Sequence, residues 1–329
     1  MKCAVYGTHG HFGYIKEAKA CDPSIEVVGV ASAEEDNVTA LESAFPGAKR
    51  YDTLEELIEK TECDVLGVTP AFYRASAASI YAMEKGVDVF SDKPLALNEK
   101  DLNALIETWK KTGRDIGAMF GIAFDPWYLT MKRAVEEGYI GDVRLIHGQK
   151  SYKLGTRPDF FRERAKFGGL IPWVAIHALD WALEFGGLPE SVMASHSTKD
   201  NAGYGDLEVS AAILTQFENG AAATVTADYF RPIGAARHDD DRLRLTGTKG
   251  MLEAMDGKVY YEGKESKREL PLLPAGNCFI DFLEKRANGE ADALASRAFL
   301  STRVALLARE AADEGKLIRM KREDLVITR

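Results

Sequence analysis

Apolar residues in the first third of the chain fall into short runs separated by stretches of helical spacing. Cys3-Ala4-Val5-Tyr6, Val27-Val28-Gly29-Val30-Ala31, Val65-Leu66-Gly67-Val68 and Asp88-Val89-Phe90 read as strands. The third is continuously apolar, as a strand buried on both faces should be. A helix-like stretch from about Phe12 to Ala20 follows the first strand. Between Asn98 and Thr112, Leu102, Leu105, Ile106 and Trp109 recur at i, i+3, i+4 and i+7, one face of a helix. Asn98 and Asp101 supply its cap and third-position acid, and Gly113 its stop. Such alternation predicts a parallel sheet with helices on both sides.

After about Gly121 the pattern changes. Residues 190–270 are mostly strands. Leu207, Val209, Ala211 and Ile213 alternate at period two, and Asn219-Gly220 separates them from the run Ala223 to Tyr229. This is a hairpin signal, and Asp256-Gly257 marks another. The expectation is a large, mostly antiparallel sheet, which can leave one face free for solvent, ligand or a second subunit. Two helices follow, over about 278–287 and 292–314.

The length of 329 residues suits two domains, and 46% hydrophobic with 28% charged residues is a globular composition. The net charge of −9 argues against a partner tracked by its phosphates, such as nucleic acid. No apolar run approaches the ~20 residues of a bilayer span. Met1-Lys2-Cys3 enters a strand at once, so no signal peptide is expected and the location expected is cytoplasmic. The four cysteines, Cys3, Cys21, Cys63 and Cys278, lack zinc-ligand spacing and read as reduced thiols. Residues 237–241, Arg-His-Asp-Asp-Asp, read as a solvated turn rather than a metal site, and no metal is expected.

Gly7-Thr8-His9-Gly10-His11-Phe12-Gly13 follows the first strand directly and opens a helix. Glycine turns there let backbone N–H groups approach a pyrophosphate at a helix N-terminus. The spacing is G-x-x-G-x-x-G, with Thr8 where a glycine is usual. The strand–loop–helix setting makes the whole loop a dinucleotide site. The second strand ends at Ala31-Ser32-Ala33-Glu34. An acid there accepts hydrogen bonds from ribose hydroxyls and repels a 2′-phosphate, and no Lys or Arg is close. NAD is expected over NADP, although Ser32 leaves NADP open.

Three further segments, with the loop, resemble the glucose–fructose oxidoreductase / inositol dehydrogenase (Gfo/Idh/MocA) family. They are Val68-Thr69-Pro70, Phe90-Ser91-Asp92-Lys93-Pro94 with Asp for the family's Glu, and the run from Gly168-Gly169 through Trp173 and His177 to Asp180. Weaker echoes are Phe124-Asp125-Pro126 and Gly247-Thr248-Lys249-Gly250. The resemblance implies a Rossmann domain (1–121) and a substrate and oligomerisation domain of α+β type (122–275). It also implies that residues from about 276 to 329 return to the Rossmann domain, and that the protein is a homodimer or homotetramer. Thr69 and Pro70 border the cofactor, Lys93 lies near the nicotinamide and the substrate hydroxyl, and His177 takes the general base's place. Two departures stand out: Trp173 replaces an Asp, and Ala71 to Arg74 lose the family's Asn and His.

The chemistry fits independently. Hydride loss from a secondary alcohol requires its O–H proton to leave, and histidine suits that task. His177 and Asp180, at i and i+3, share a helical face and form the expected catalytic group with Lys93. Tyr152, Arg157 and Trp173 are candidate substrate residues, for sugar hydroxyls or a carboxylate. The expected activity is an NAD(P)-dependent dehydrogenase of CH–OH groups on a carbohydrate or polyol. Trp173 keeps alive a second class: a nicotinamide-binding regulator, or a glycoside-cleaving enzyme without net redox turnover.

Overall fold

A computed structural model describes residues 1–33, 37–264 and 266–329. Six parallel strands form the first sheet: β1 (Lys2–Tyr6), β2 (Glu26–Ala31), β3 (Lys49–Arg50), β4 (Val65–Val68), β5 (Asp88–Ser91) and β6 (Ile116–Ala118), in the order β3-β2-β1-β4-β5-β6. The order reverses between β1 and β4, so their C-terminal ends frame the crevice where ligands bind in open α/β sheets. Local chemistry sets these elements. Every residue of β4 is buried. In the helix Glu99–Thr112 the Asp101 amide donates to Asn98 Oδ1 at 2.9 Å, the apolar stripe is buried, and Gly113 ends the helix at φ 68°.

Nine strands form the second sheet: β7 (Val143–Tyr152), β8 (Pro189–Ser197), β9 (Ser210–Phe217), β10 (Ala222–Asp228), β11 (Asp239–Gly247), β12 (Met251–Met255), β13 (Lys258–Glu262), β14 (Arg268–Leu270) and β15 (Ile318–Arg319). The order is β14-β13-β12-β11-β7-β10-β9-β8-β15, with every pair antiparallel except β7 with β10. The hairpins at Asn219-Gly220 and Asp256-Gly257 join β9 to β10 and β12 to β13. One face is covered by the helix Ile176–Gly186, in which all residues but Glu184 are buried. The other face leaves Leu145, Met193 and Leu214 more than 40% exposed.

The C-terminal segment serves both domains rather than the first alone. Phe279 and Phe282, on the helix Cys278–Ala287, pack on Phe90 of β5. The long helix Ala291–Glu314 then bridges the domains: Arg309 donates to the carbonyls of Leu97 and Gly168, and β15 adds an edge to the second sheet. Among the described residues, no helix is long and apolar enough to cross a membrane.

Candidate active site

The glycine loop is fixed to the ends of β4 and β5. Gly7 has φ +96°, and a Cβ there would lie 2.2 Å from the Pro70 nitrogen; a Cβ on Gly10 would lie 2.1 Å from Asp92 Oδ2. Only glycine allows both approaches. The His9 and Gly10 amides donate to the Thr69 carbonyl at 2.9 and 3.0 Å, and Thr69 Oγ1 donates to the Gly7 carbonyl at 2.6 Å. Asp92 accepts from the His11 amide at 2.9 Å and the Lys93 amide at 2.8 Å, and His11 Nδ1 lies 3.0 Å away. Thr8 Oγ1 accepts from the Asn37 amide at 3.2 Å.

The helix Gly13–Cys21 then starts at Phe12 with no side-chain cap. Among the described residues, the Phe12 and Gly13 amides have no backbone acceptor, and a Cβ on Gly13 would meet nothing within 4 Å. Unsatisfied N–H groups over open space at a helix N-terminus suit a pyrophosphate. The loop therefore fits a dinucleotide. Ser32 follows β2 and is half-buried; Glu34, the acid read beside it, lies outside the described residues.

Lys93 leaves the end of β5 and is 3% exposed. Its Nζ donates to the Trp173 carbonyl at 2.5 Å and lies 3.6 Å from the centroid of the Trp173 ring. Residues Ile171–Ala175 form a π-helical turn that feeds the helix of His177. Such wide turns recur at functional sites, and here the turn carries the carbonyl that Lys93 takes. Trp173 stacks on Phe72 at 3.7 Å between ring centroids and on His11 at 5.7 Å. His177 is 4% exposed, and its ring stands edge-on to Phe120.

Burial pushes Lys93 down to about 7; Lys150 acts in the same direction and Asp92 against it. Burial also holds His177 well below the ordinary histidine value, helped by the charges of Lys93, Lys150 and His11. At neutral pH His177 is thus an uncharged imidazole able to accept a proton, and Lys93 is near its titration midpoint.

Asp180 has a different task from the one its spacing suggested. Its Oδ1 accepts from Arg297 Nε at 2.7 Å and from Ser301 Oγ at 2.7 Å, and no hydrogen bond joins it to His177 among the described residues. It ties its helix to the long C-terminal helix, so its place in the catalytic group is withdrawn. Residues 237–241 need a second correction. Asp239 to Asp241 begin β11, and Asp241 is buried against Lys150, with Nζ–O distances of 2.5 and 2.6 Å. The register sets Lys150 opposite Asp241 and Tyr152 opposite Asp239.

Sequence reasoning missed Lys150 and Asp241. Strand parity carried the signal: Lys150 is in phase with buried Ile146, and Asp241 with buried Leu243 and Leu245, so both charges point inward. Tyr152 lies beside them, its ring centroid 4.7 Å from Lys150 Nζ and its plane stacked on His238. Arg157 stands further out, its guanidinium 4.6 Å over Tyr229. Lys93, His177, Trp173, Lys150 and Tyr152 thus gather where the second sheet meets the glycine loop.

A family model described as the NAD-binding Rossmann fold of an oxidoreductase family matches residues 1–120, and one for the GFO/IDH/MocA C-terminal domain matches residues 128–253. The chain belongs to the GFO/IDH/MocA oxidoreductase family. Its cofactor is NAD, held by the Rossmann domain. The chain is 26% identical to myo-inositol 2-dehydrogenase of Thermotoga maritima over 260 residues, 77% of this chain and 75% of that one. It is 27% identical to scyllo-inositol 2-dehydrogenase (NAD(+)) of Bacillus subtilis over 259 residues, 77% and 73% of the two chains. A solved structure from Thermotoga maritima superposes with a TM-score of 0.93 at 37% identity, covering 97% of this chain and 100% of that one. An aldose-aldose oxidoreductase from Caulobacter crescentus, at 22% identity and a TM-score of 0.82, shares the fold; the match covers 97% of this chain and 99% of that one.

Proposed function

We propose that this GFO/IDH/MocA protein oxidises a hydroxyl of a polyol or carbohydrate with NAD+, or reduces the matching ketone. The observation that carries the reading is the burial of a neutral His177 and an easily titrated Lys93 in one cleft beside the glycine loop. The inositol dehydrogenases among its relatives support the substrate class.

The loop amides at Phe12 and Gly13 would hold the pyrophosphate, and Thr69, Pro70 and Lys93 would flank the nicotinamide. The chemistry supplied by bound NAD+ is acceptance of a hydride. His177 Nε2 or Nδ1 takes the hydroxyl proton, and its low proton affinity keeps it free to do so below neutral pH. Lys93, when charged, donates a hydrogen bond to the same oxygen. Trp173 and Phe72 form an apolar wall that excludes water. Lys150, paired with Asp241, adds to what burial already does in holding both working groups below their ordinary values. We further assign a cytoplasmic location and a homo-oligomer assembled through the open face of the second sheet.

Trp173 favours one second reading. Its ring covers Lys93 where the family has an acid, and this suits a nicotinamide-binding protein without net redox turnover. Absorbance at the NADH band, followed with NAD+ and a panel of inositols, sugars and sugar acids, separates the two. NADH formation is expected with at least one of them. Tight NAD+ binding with no NADH from any would favour the second reading.

A further inference from the structure

At the start of β11, each acid already has a cation. Asp241 pairs with Lys150, Asp239 with Arg237 at 2.9 Å, and Asp240 with Arg231 and Arg242 at 3.2 and 2.9 Å. Two nearby cations carry no carboxylate, although Lys153 Nζ donates to the Ala235 carbonyl. Among the described residues, neither Arg157 nor Lys153 has a carboxylate oxygen within the 4.0 Å of an ion pair.

Arg157 is not a side chain waving in water. Its guanidinium lies flat enough to sit 4.6 Å over Tyr229 and 5.8 Å from Phe161. Its Nη2 donates to the Lys153 carbonyl at 2.9 Å, and the Tyr204 hydroxyl accepts its backbone amide at 3.0 Å. Its Nε is buried without any hydrogen-bond partner. The head group is thus held in place with donor capacity unspent. His238 adds no charge of its own: burial, then the charge of Arg157, keep its imidazole below the ordinary value, so near neutral pH it offers an uncharged ring as a hydrogen-bonding group. A chain of contacts runs inward from Arg157 through Phe161, Phe72 and Trp173 to Lys93. Three packed aromatic rings thus separate this cation from Lys93.

We infer that Arg157, with Lys153 and His238 beside it, forms a subsite for an anion, so that the substrate is a polyol or sugar bearing an acidic substituent, a carboxylate or a phosphate monoester. The inference rests on the oxidoreductase reading above and names its substrate class. A guanidinium recognises either anion through paired N–H donors, and its planar fork needs little reordering. Nε is sealed, but Nη1 has no hydrogen-bond partner among the described residues and is the donor an anion would meet.

The test is NADH formation by the full chain with NAD+, comparing neutral polyols and sugars with their aldonic acids, uronic acids and phosphate esters. An acidic substrate is expected to exceed its neutral counterpart about tenfold or more in kcat/KM, the worth of a charge-assisted hydrogen bond. Arg157→Gln should raise KM for the acid by about ten- to hundredfold with a smaller change in kcat, and Arg157→Lys should recover part of the loss. Preference for phosphate esters over carboxylates would support the subsite and assign its ligand to phosphate.

Equal use of neutral and acidic substrates, unaltered by Arg157→Gln, would overturn the inference while leaving the oxidoreductase reading intact. Calorimetric titration of the protein–NADH complex with an aldonate and with a sugar phosphate decides the matter if no compound turns over. Binding lost in Arg157→Gln supports the subsite, and no binding of either overturns it. Failure to bind NAD(H) at all would instead remove the oxidoreductase reading.

Discussion

Lys93 in its charged form works against the fold that holds it. Its folded value of about 7 lies below the ordinary 10.5 because burial disfavours the ammonium. Between those values the unfolded chain binds the proton and the folded one does not, so stability rises with pH through that window. Below about pH 7 the cost of burying the charge is present in full. Lys93→Met should therefore raise the Tm of the cofactor-free protein, by clearly more near pH ~6 than near pH ~10. Thermal unfolding at both pH values checks this, and a gain independent of pH would count against a buried, depressed lysine. His177 makes the complementary prediction. His177→Ala should leave NAD affinity nearly unchanged and lower turnover by about two to four orders of magnitude. Raising the pH should restore part of the rate, since hydroxide can replace a missing base. Steady-state kinetics beside NADH titration reads both effects. Asp180 instead joins two helices, its Oδ1 accepting from both Arg297 and Ser301.

Among the elements, the strand–loop–helix unit at the N-terminus depends most on close backbone approach. Gly10 leaves room for Asp92, whose carboxylate binds the His11 and Lys93 amides together. Gly10→Ala would place a Cβ 2.1 Å from Asp92 Oδ2, so the buried carboxylate must move and release both amides. The expected result is a loss of about 2 kcal/mol or more in stability, together with NAD binding weakened about tenfold or more. Denaturant unfolding and calorimetric titration measure the two. The π-helical turn Ile171–Ala175 is the second element that shapes the site. It presents a main-chain carbonyl to Lys93 and aims the Trp173 ring at the same ammonium, so one residue makes both contacts.

For the whole molecule, the second sheet has one face sealed and one open. The sealed face packs on the helix Ile176–Gly186, which is apolar on nearly all sides and must be buried. The open face displays Met193 and Leu214 on the adjacent strands β8 and β9, and Leu145 on β7 beyond β10, among threonines and charged residues. Met193 and Leu214 are cross-strand partners on this face, and we propose that it meets a second copy of this chain. Light scattering at micromolar concentration is expected to give a dimer or tetramer. Leu214→Glu should shift it towards the monomer, and a wild-type monomer would refute the assignment. The cleft lies on the sealed side, so the variant should still bind NAD.

Spacing within short segments was enough to specify much of this protein. The capped helix Glu99–Thr112 and the two Asx-Gly hairpins rest on interactions between residues close in the chain, while the buried strand β4 and the glycine loop were legible as sequence patterns although their contacts are distant. Lys93 and His177 were legible through the motifs that surround them. Partners far apart in the chain were not. Lys150 and Asp241 are separated by 91 positions, and although parity turns each inward, only the register of β7 with β11 makes them a pair. Asp180 and Arg297 are 117 positions apart, so the i, i+3 spacing to His177 was a weaker guide than a cation on another helix. Periodicity fixes which way a side chain faces, because backbone geometry repeats along an element. What it faces depends on how elements pack, and that was decided only when both sheets and the C-terminal helices came together.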